Sequence, residues 1–259
     1  DELAAMLGPP ENEEVLRQDD PRCGMPSPPS LSKNNEVAFK LYIQDLYLIL
    51  ANHANLEYSK DMHAMFGDAT AANQEDGCFT GCAVKRYERC AGKFRSKDDH
   101  ATRADPKGAC NIDGVRGCAV FSDAAFLVDA VKQVQAKVTV GQSWEGRMKN
   151  QFHSDADGSQ TREYRALLMN SVMQLDMTWG EIADEMVEQN RCPATESARK
   201  WMEEEGYSTL PVRMVVEVQF TVDFYLKSRK RSHLPYQLFR SYDARNLADG
   251  ESRLILHSI

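Results

Sequence analysis

The sequence predicts an α+β protein: a helix-rich body, a cysteine-stapled loop segment and a small C-terminal antiparallel sheet. Three observations predict it. Apolar residues recur at three- and four-residue intervals in five stretches between about positions 35 and 205. The period changes to two over 212–226. Between two of the helical stretches, residues 68–123 hold five of the seven cysteines but only seven residues from the set Val, Ile, Leu, Met, Phe and Trp. The implied organisation is an extended tail (1–35), a helical region (36–210) carrying the cysteine-rich insertion 68–123, and an antiparallel β segment (211–259).

The tail is dominated by Pro, Glu, Asp, Asn and Ser ("GPPENEE", "GMPSPPSLSKNNE"), a composition that buries too little apolar surface to offset its chain entropy. From Asn35 to about Met65, Val37, Leu41, Tyr42, Leu46 and Ile49 recur at helical spacing. A helix this apolar belongs in a core. A second helix is expected over about Asp123–Val138, with Leu127, Val131, Val134 and Val138 on one stripe. A third is expected over about Thr161–Leu175, carrying Tyr164, Leu168, Val172 and Leu175. Two shorter helices follow, near 179–190 and 194–205, the first capped by Thr178.

In "VRMVVEVQFTVDFYL" (212–226) every even position is apolar: Val212, Met214, Val216, Val218, Phe220, Val222, Phe224 and Leu226. This reads as a half-buried strand with Arg213, Glu217, Gln219, Thr221 and Asp223 on its other face. It is about twice as long as its candidate partners in the chain, 235–242 and 252–259. Part of its edge is therefore expected to pair with another polypeptide, with Val218 and Gln219 at that contact.

The cysteines admit three chemistries. Zinc favours closely paired ligands, whereas Cys78, Cys82, Cys90, Cys110 and Cys118 are separated by three, seven, nineteen and seven residues, with His100 the one nearby imidazole. A thiol nucleophile needs a base and an accompanying signature, and none surrounds these residues. Disulfides suit a loop-rich, core-poor segment because they shrink the unfolded ensemble. All five are therefore disulfide candidates, of undetermined pairing. The arrangement Cys82-x7-Cys90 and Cys110-x7-Cys118 resembles the twin-cysteine helical hairpins of the mitochondrial intermembrane space. It departs from their nine-residue spacing, and "CNIDGVRGC" carries two glycines. That resemblance implies an oxidising compartment, such as an organelle or the secretory route. A chain numbered from Asp1 fits removal of a targeting segment.

Other motifs fail on their chemistry. "PRCGMPS" is similar to the cysteine-switch propeptide of matrix metalloproteinases, but Ser27 stands where that motif has Asp and no H-E-x-x-H occurs. "SDADGSQTREY" (154–164) lacks the glutamate that completes a calcium loop. No phosphate-binding glycine loop or nucleophile elbow is present. No catalytic residue, metal ligand or cofactor is assigned. A net charge of −8 argues against general nucleic-acid binding. Residues 177–233 nevertheless resemble a winged helix-turn-helix, with Ala198 and Trp201 facing inward, although its second helix carries Glu196, Glu203, Glu204 and Glu205 against Arg199 and Lys200. The one basic cluster is "KSRKRSH" (227–233), whose Arg229, Lys230 and Arg231 are candidate partner-binding residues. No apolar run reaches the roughly 20 residues of a membrane span. The expectation is a non-catalytic structural or adaptor subunit that contacts other protein subunits. The alternatives are a winged-helix-like nucleic-acid binder and a secreted disulfide-rich binding protein.

Overall fold

A computed structural model of the chain describes residues 36–66, 78–84, 107–138, 147–153, 165–189 and 193–228, together with Arg17, Pro26 and Lys93. The elements run α1 (Glu36–Phe66), β1 (Cys78–Gly81), a 3-10 turn (Lys107–Cys110), β2 (Arg116–Phe121), α2 (Ala124–Val138), β3 (Arg147–Asn150) and β4 (Leu167–Thr178). Then come α3 (Trp179–Gln189), α4 (Pro193–Glu204), a second 3-10 turn (Tyr207–Thr209) and β5 (Pro211–Val222). Helices and strands together make an α+β architecture. Among the described residues no helix is long and apolar enough to cross a membrane.

Local chemistry explains most boundaries. α2 starts where the Asp123 carboxylate accepts hydrogen bonds from the N–H groups of Ala125 (2.8 Å) and Phe126 (3.2 Å). α3 opens on a capping box. Glu181 Oε2 accepts from the Thr178 N–H (2.7 Å) and hydroxyl (3.0 Å), while the Glu181 N–H donates back to the Thr178 hydroxyl (3.4 Å). Past the end of α4, Gly206 takes the left-handed conformation (φ 76°), which a residue with a Cβ adopts at a cost.

The five strands form one sheet in the order β1-β2-β5-β4-β3, in which β2 and β5 run parallel and the other neighbours antiparallel. On one face Phe79, Ala119, Phe121, Leu167, Met169, Val216, Val218 and Phe220 meet the helices in the main core. Phe66 of α1 lies edge-on to Phe121 and Phe220, at ring-centroid distances of 6.0 and 6.1 Å, and those two rings stack at 6.4 Å. On the opposite face Val215 is buried under Ile112 and Val172. The segment 107–115 serves both faces, since Ala109 and Val115 join the main core while Ile112 lies on the far side.

Several expectations are corrected here. Residues 167–178 form a strand, not the end of a helix over Thr161–Leu175; positions 161–164 lie outside the described residues. Leu168 and Val172 fit a helical stripe, but Leu167, Met169 and Leu175 also fit a period of two. Pairing with β5 from Leu167↔Phe220 to Thr178↔Pro211 decides between them. The sheet is not a small C-terminal antiparallel one. It is mixed, and it draws strands from positions 78 to 222.

β5 ends at Val222, and 223–228 turn helical, which takes Phe224 and Leu226 off the strand. Nor is β5 half-buried with a polar outer face, because Val215, Glu217 and Thr221 are buried as well. β2 and β4 occupy its two edges. Both lie within 36–210, so the described parts of that region and of 211–259 share one sheet. The strands expected at 235–242 and 252–259, and nearly all of the 1–35 tail, fall outside the described residues. Finally, Cys78, Cys82, Cys110 and Cys118 are thiols with no disulfide between them, so the stapled loop is unsupported. Cys90 lies outside the described residues.

Candidate functional site

Residues paired across strands project to the same face of a sheet. On the face opposite the helices, the register therefore groups Cys78 and Thr80 of β1 with Arg116, Cys118 and Val120 of β2. Next to them stand Glu217, Gln219 and Thr221 of β5, and then Leu168 and Asn170 of β4. Cys82, one residue past β1, continues the alternation, and its N–H donates to the Arg116 carbonyl (3.0 Å).

At the centre of this group is Glu217, only 4 % exposed. Its carboxylate accepts a hydrogen bond from Gln219 Nε2 (2.7 Å), which offsets part of the cost of burying an acid. Arg116 and Asn170 are its neighbours across the ladder. Arg116 also faces Asp113 at 3.9 Å, and Lys93 closes on that same carboxylate at 3.1 Å. Asn170 Nδ2 donates to the Ile112 carbonyl (3.3 Å) and ties the segment 107–115 to the sheet.

Tyr58 reaches the group from the helical side. Its hydroxyl donates to the Glu217 carbonyl (2.8 Å). Burial first, and then the Glu217 carboxylate and the Cys82 and Cys118 thiols, push that hydroxyl well above the usual phenol range, against a smaller opposing effect of the Gly117 backbone. Tyr58 is thus a neutral donor and not a base. Gly117 makes room for the neighbouring Phe79 ring: a Cβ there would stand 2.0 Å from Cζ of Phe79. Chemically, the group offers half-buried thiols, a buried carboxylate and a neutral phenol. Among the described residues, no three or more His, Cys, Asp or Glu side chains stand together as metal ligands.

The remaining predicted residues are dispersed. Cys110 is buried on its 3-10 turn, where Arg17 Nη1 approaches its sulfur at 3.3 Å. Val218 is packed in the core, and Gln219 pairs with Cys118 on one side and Leu168 on the other, which removes both from any surface a partner strand could reach. Arg229, Lys230 and Arg231 lie outside the described residues. In the helix-turn-helix reading Ala198 does face inward, and Trp201 packs on Tyr207 at 5.2 Å. However, the expected wing is β5, the middle strand of the sheet. Arg199 is paired with Asp184 (2.5 Å) and Lys200 with Glu204 (3.6 Å), so both cations of the second helix face carboxylates.

A second feature escaped the sequence reading. β2, β3 and β5 point the same way, so the residues that follow them gather at one end of the sheet. Phe152 after β3, and Phe224 and Tyr225 after β5, lie there. Tyr225 contacts Phe152 at 5.8 Å and Phe224 at 5.4 Å, and the Phe224 ring is 73 % exposed. Arg165 braces this end. Its guanidinium donates to the carbonyls of Gln151, Phe152 and His153 (3.1–3.4 Å), while its own carbonyl accepts from the Thr221 hydroxyl (2.8 Å). The alternation of 212–226 had placed Phe224 on a buried strand face. Only the end of β5 at Val222 could have revealed it. Comparison with known protein families, with characterised proteins and with solved structures finds no match to this chain.

Proposed function

We propose that this chain is a non-catalytic structural or adaptor subunit that engages other protein subunits through the aromatic end of its sheet. The observation that carries the reading is Phe224. A largely exposed aromatic ring, edge-to-face with a second aromatic and set on a braced framework, is the kind of rigid anchor that dominates protein contacts. The chain continues from there into the basic stretch "KSRKRSH", so the complementary surface would be apolar with an acidic rim. Nucleic-acid binding through 177–233 is not favoured, because the cations of α4 are engaged by neighbouring carboxylates.

The test is the native mass of the chain isolated from its source, compared with that of Phe224→Ser. The expectation is a complex well above 29.2 kDa that dissociates at least ten-fold more readily in the variant. A single uncomplexed species from the source, or a complex indifferent to Phe224→Ser, overturns the proposal.

A further inference from the structure

We infer that Cys82 and Cys118 are a redox-sensitive thiol pair that closes into a disulfide and ties the edge strand β1 to β2. The register places them two rungs apart on the same face. Cys118 is opposite Thr80, and Cys82 follows two residues later, hydrogen-bonded to Arg116. Diagonal neighbours in an antiparallel ladder stand about 7–8 Å apart at Cα, and a disulfide needs about 7 Å or less. Closure therefore asks for a shift of about one ångström.

Cys82 is placed to make that shift. The β1–β2 ladder ends on the Gly81↔Gly117 pair, and Cys82 keeps one backbone hydrogen bond beyond it. Both thiols are half-buried and thus open to a small reagent. Both also act electrostatically on the Tyr58 hydroxyl. Cys78 sits at the far end of β1 opposite Val120, and Cys110 is on a separate turn.

The reaction is a thiol–disulfide exchange with a low-molecular-weight disulfide as oxidant. The Cys82 thiolate attacks one sulfur of that disulfide, forming a mixed disulfide and releasing one small thiolate. The Cys118 thiolate then attacks Cys82 Sγ and displaces the second. Two electrons pass to the small disulfide, and the two protons lost by the cysteines end on the two thiols released.

The experiment uses the full chain, folded and unmodified, exposed to oxidised glutathione under native conditions. The remaining thiols are then alkylated, and the chain is digested by a protease that cuts after Phe79, which separates Cys78 from Cys82, together with trypsin, which cuts after Arg116 and separates Cys110 from Cys118. The expected result is a peptide carrying Cys82 joined to one carrying Cys118, with no glutathione retained, and loss of that link on adding dithiothreitol. Cys118 joined to any other cysteine, stable glutathione adducts, or both thiols recovered alkylated overturns the inference. No variant is needed, so no folding defect can obscure the outcome.

Discussion

Gly117→Ala tests the packing on which the candidate site rests. The new methyl would lie 2.0 and 2.3 Å from Cζ and Cε2 of Phe79, where apolar contacts are normally about 3.5–4.0 Å. The ring would have to withdraw by about 1.5 Å to restore normal contact. It has nowhere to go. Phe79 is fully buried, with Tyr58 edge-on at 5.7 Å and His63 edge-on at 5.1 Å. Overpacking of this kind costs about 1–3 kcal/mol, and the confined ring argues for the upper end. With a urea m-value of about 3 kcal/mol per molar, a loss of about 3 kcal/mol moves the unfolding midpoint down by about 1 M. The decisive arm is a double-mutant cycle with Phe79→Leu, which removes the two clashing ring atoms. The double variant should be more stable than the sum of the single effects by about 1 kcal/mol or more. A Gly117→Ala protein within about 0.5 kcal/mol of the parent, or strictly additive effects, would refute the packing argument.

Gln219→Pro should abolish the cooperative unfolding transition and the sheet signal in circular dichroism, because it deletes a ladder donor in a strand paired on both sides; the expected cost is about 3 kcal/mol or more. Val218→Asp should do the same by burying an unpaired charge, at a cost of several kcal/mol. Tyr58→Phe should lose about 1 kcal/mol with its hydrogen bond to Glu217. It should also flatten the alkaline limb of stability. The native phenol is raised above its ordinary 10.0, chiefly by burial, so its contribution is complete below that pH and drains away as pH climbs toward the folded value. Glu181→Gln should weaken the protein above pH 4.5 and match the parent in acid. The Thr178 N–H and hydroxyl hold the native carboxyl below 4.5, and that contribution disappears as pH falls through the folded value. Urea titrations across pH check both limbs.

What was legible in the sequence was whatever one element could specify by itself. α1, α2 and the two short helices advertise their stripes and caps, and β5 advertises its alternation along Val212 to Val222. β4 was misread because Leu and Met favour helices and recur there at compatible intervals, while the nine rungs that make it a strand belong to β5. β1 and β3, four residues each, and β2 within a core-poor stretch carry too little periodicity to stand out. The candidate site was hidden for a related reason. The intervals between Cys78, Cys82 and Cys118 do not reveal that β1 folds back on β2, and Glu217 looked like an outward residue of an alternating strand.

The position of β5 also limits how the proposed assembly could form. A long strand without partners invites another chain to complete its edge, but the edge of β5 is already taken on both sides. The outer strands of the sheet, β1 and β3, are four residues long, and short edges of this kind are how native sheets discourage strand addition. In the proposed adaptor role, contact with a partner would then come from side chains. Among the described residues two large apolar side chains are mostly exposed, Phe224 after β5 and Leu56 on α1, at 73 % and 74 %. A single exposed leucine on a helix is ordinary. Phe224 stands apart because its ring meets Tyr225 edge-to-face, Tyr225 is packed on Phe152, and Arg165 ties that end to the sheet. A ring held in place before a partner arrives loses little side-chain freedom on binding, so the sheet end is a stronger anchor than any strand edge this fold presents.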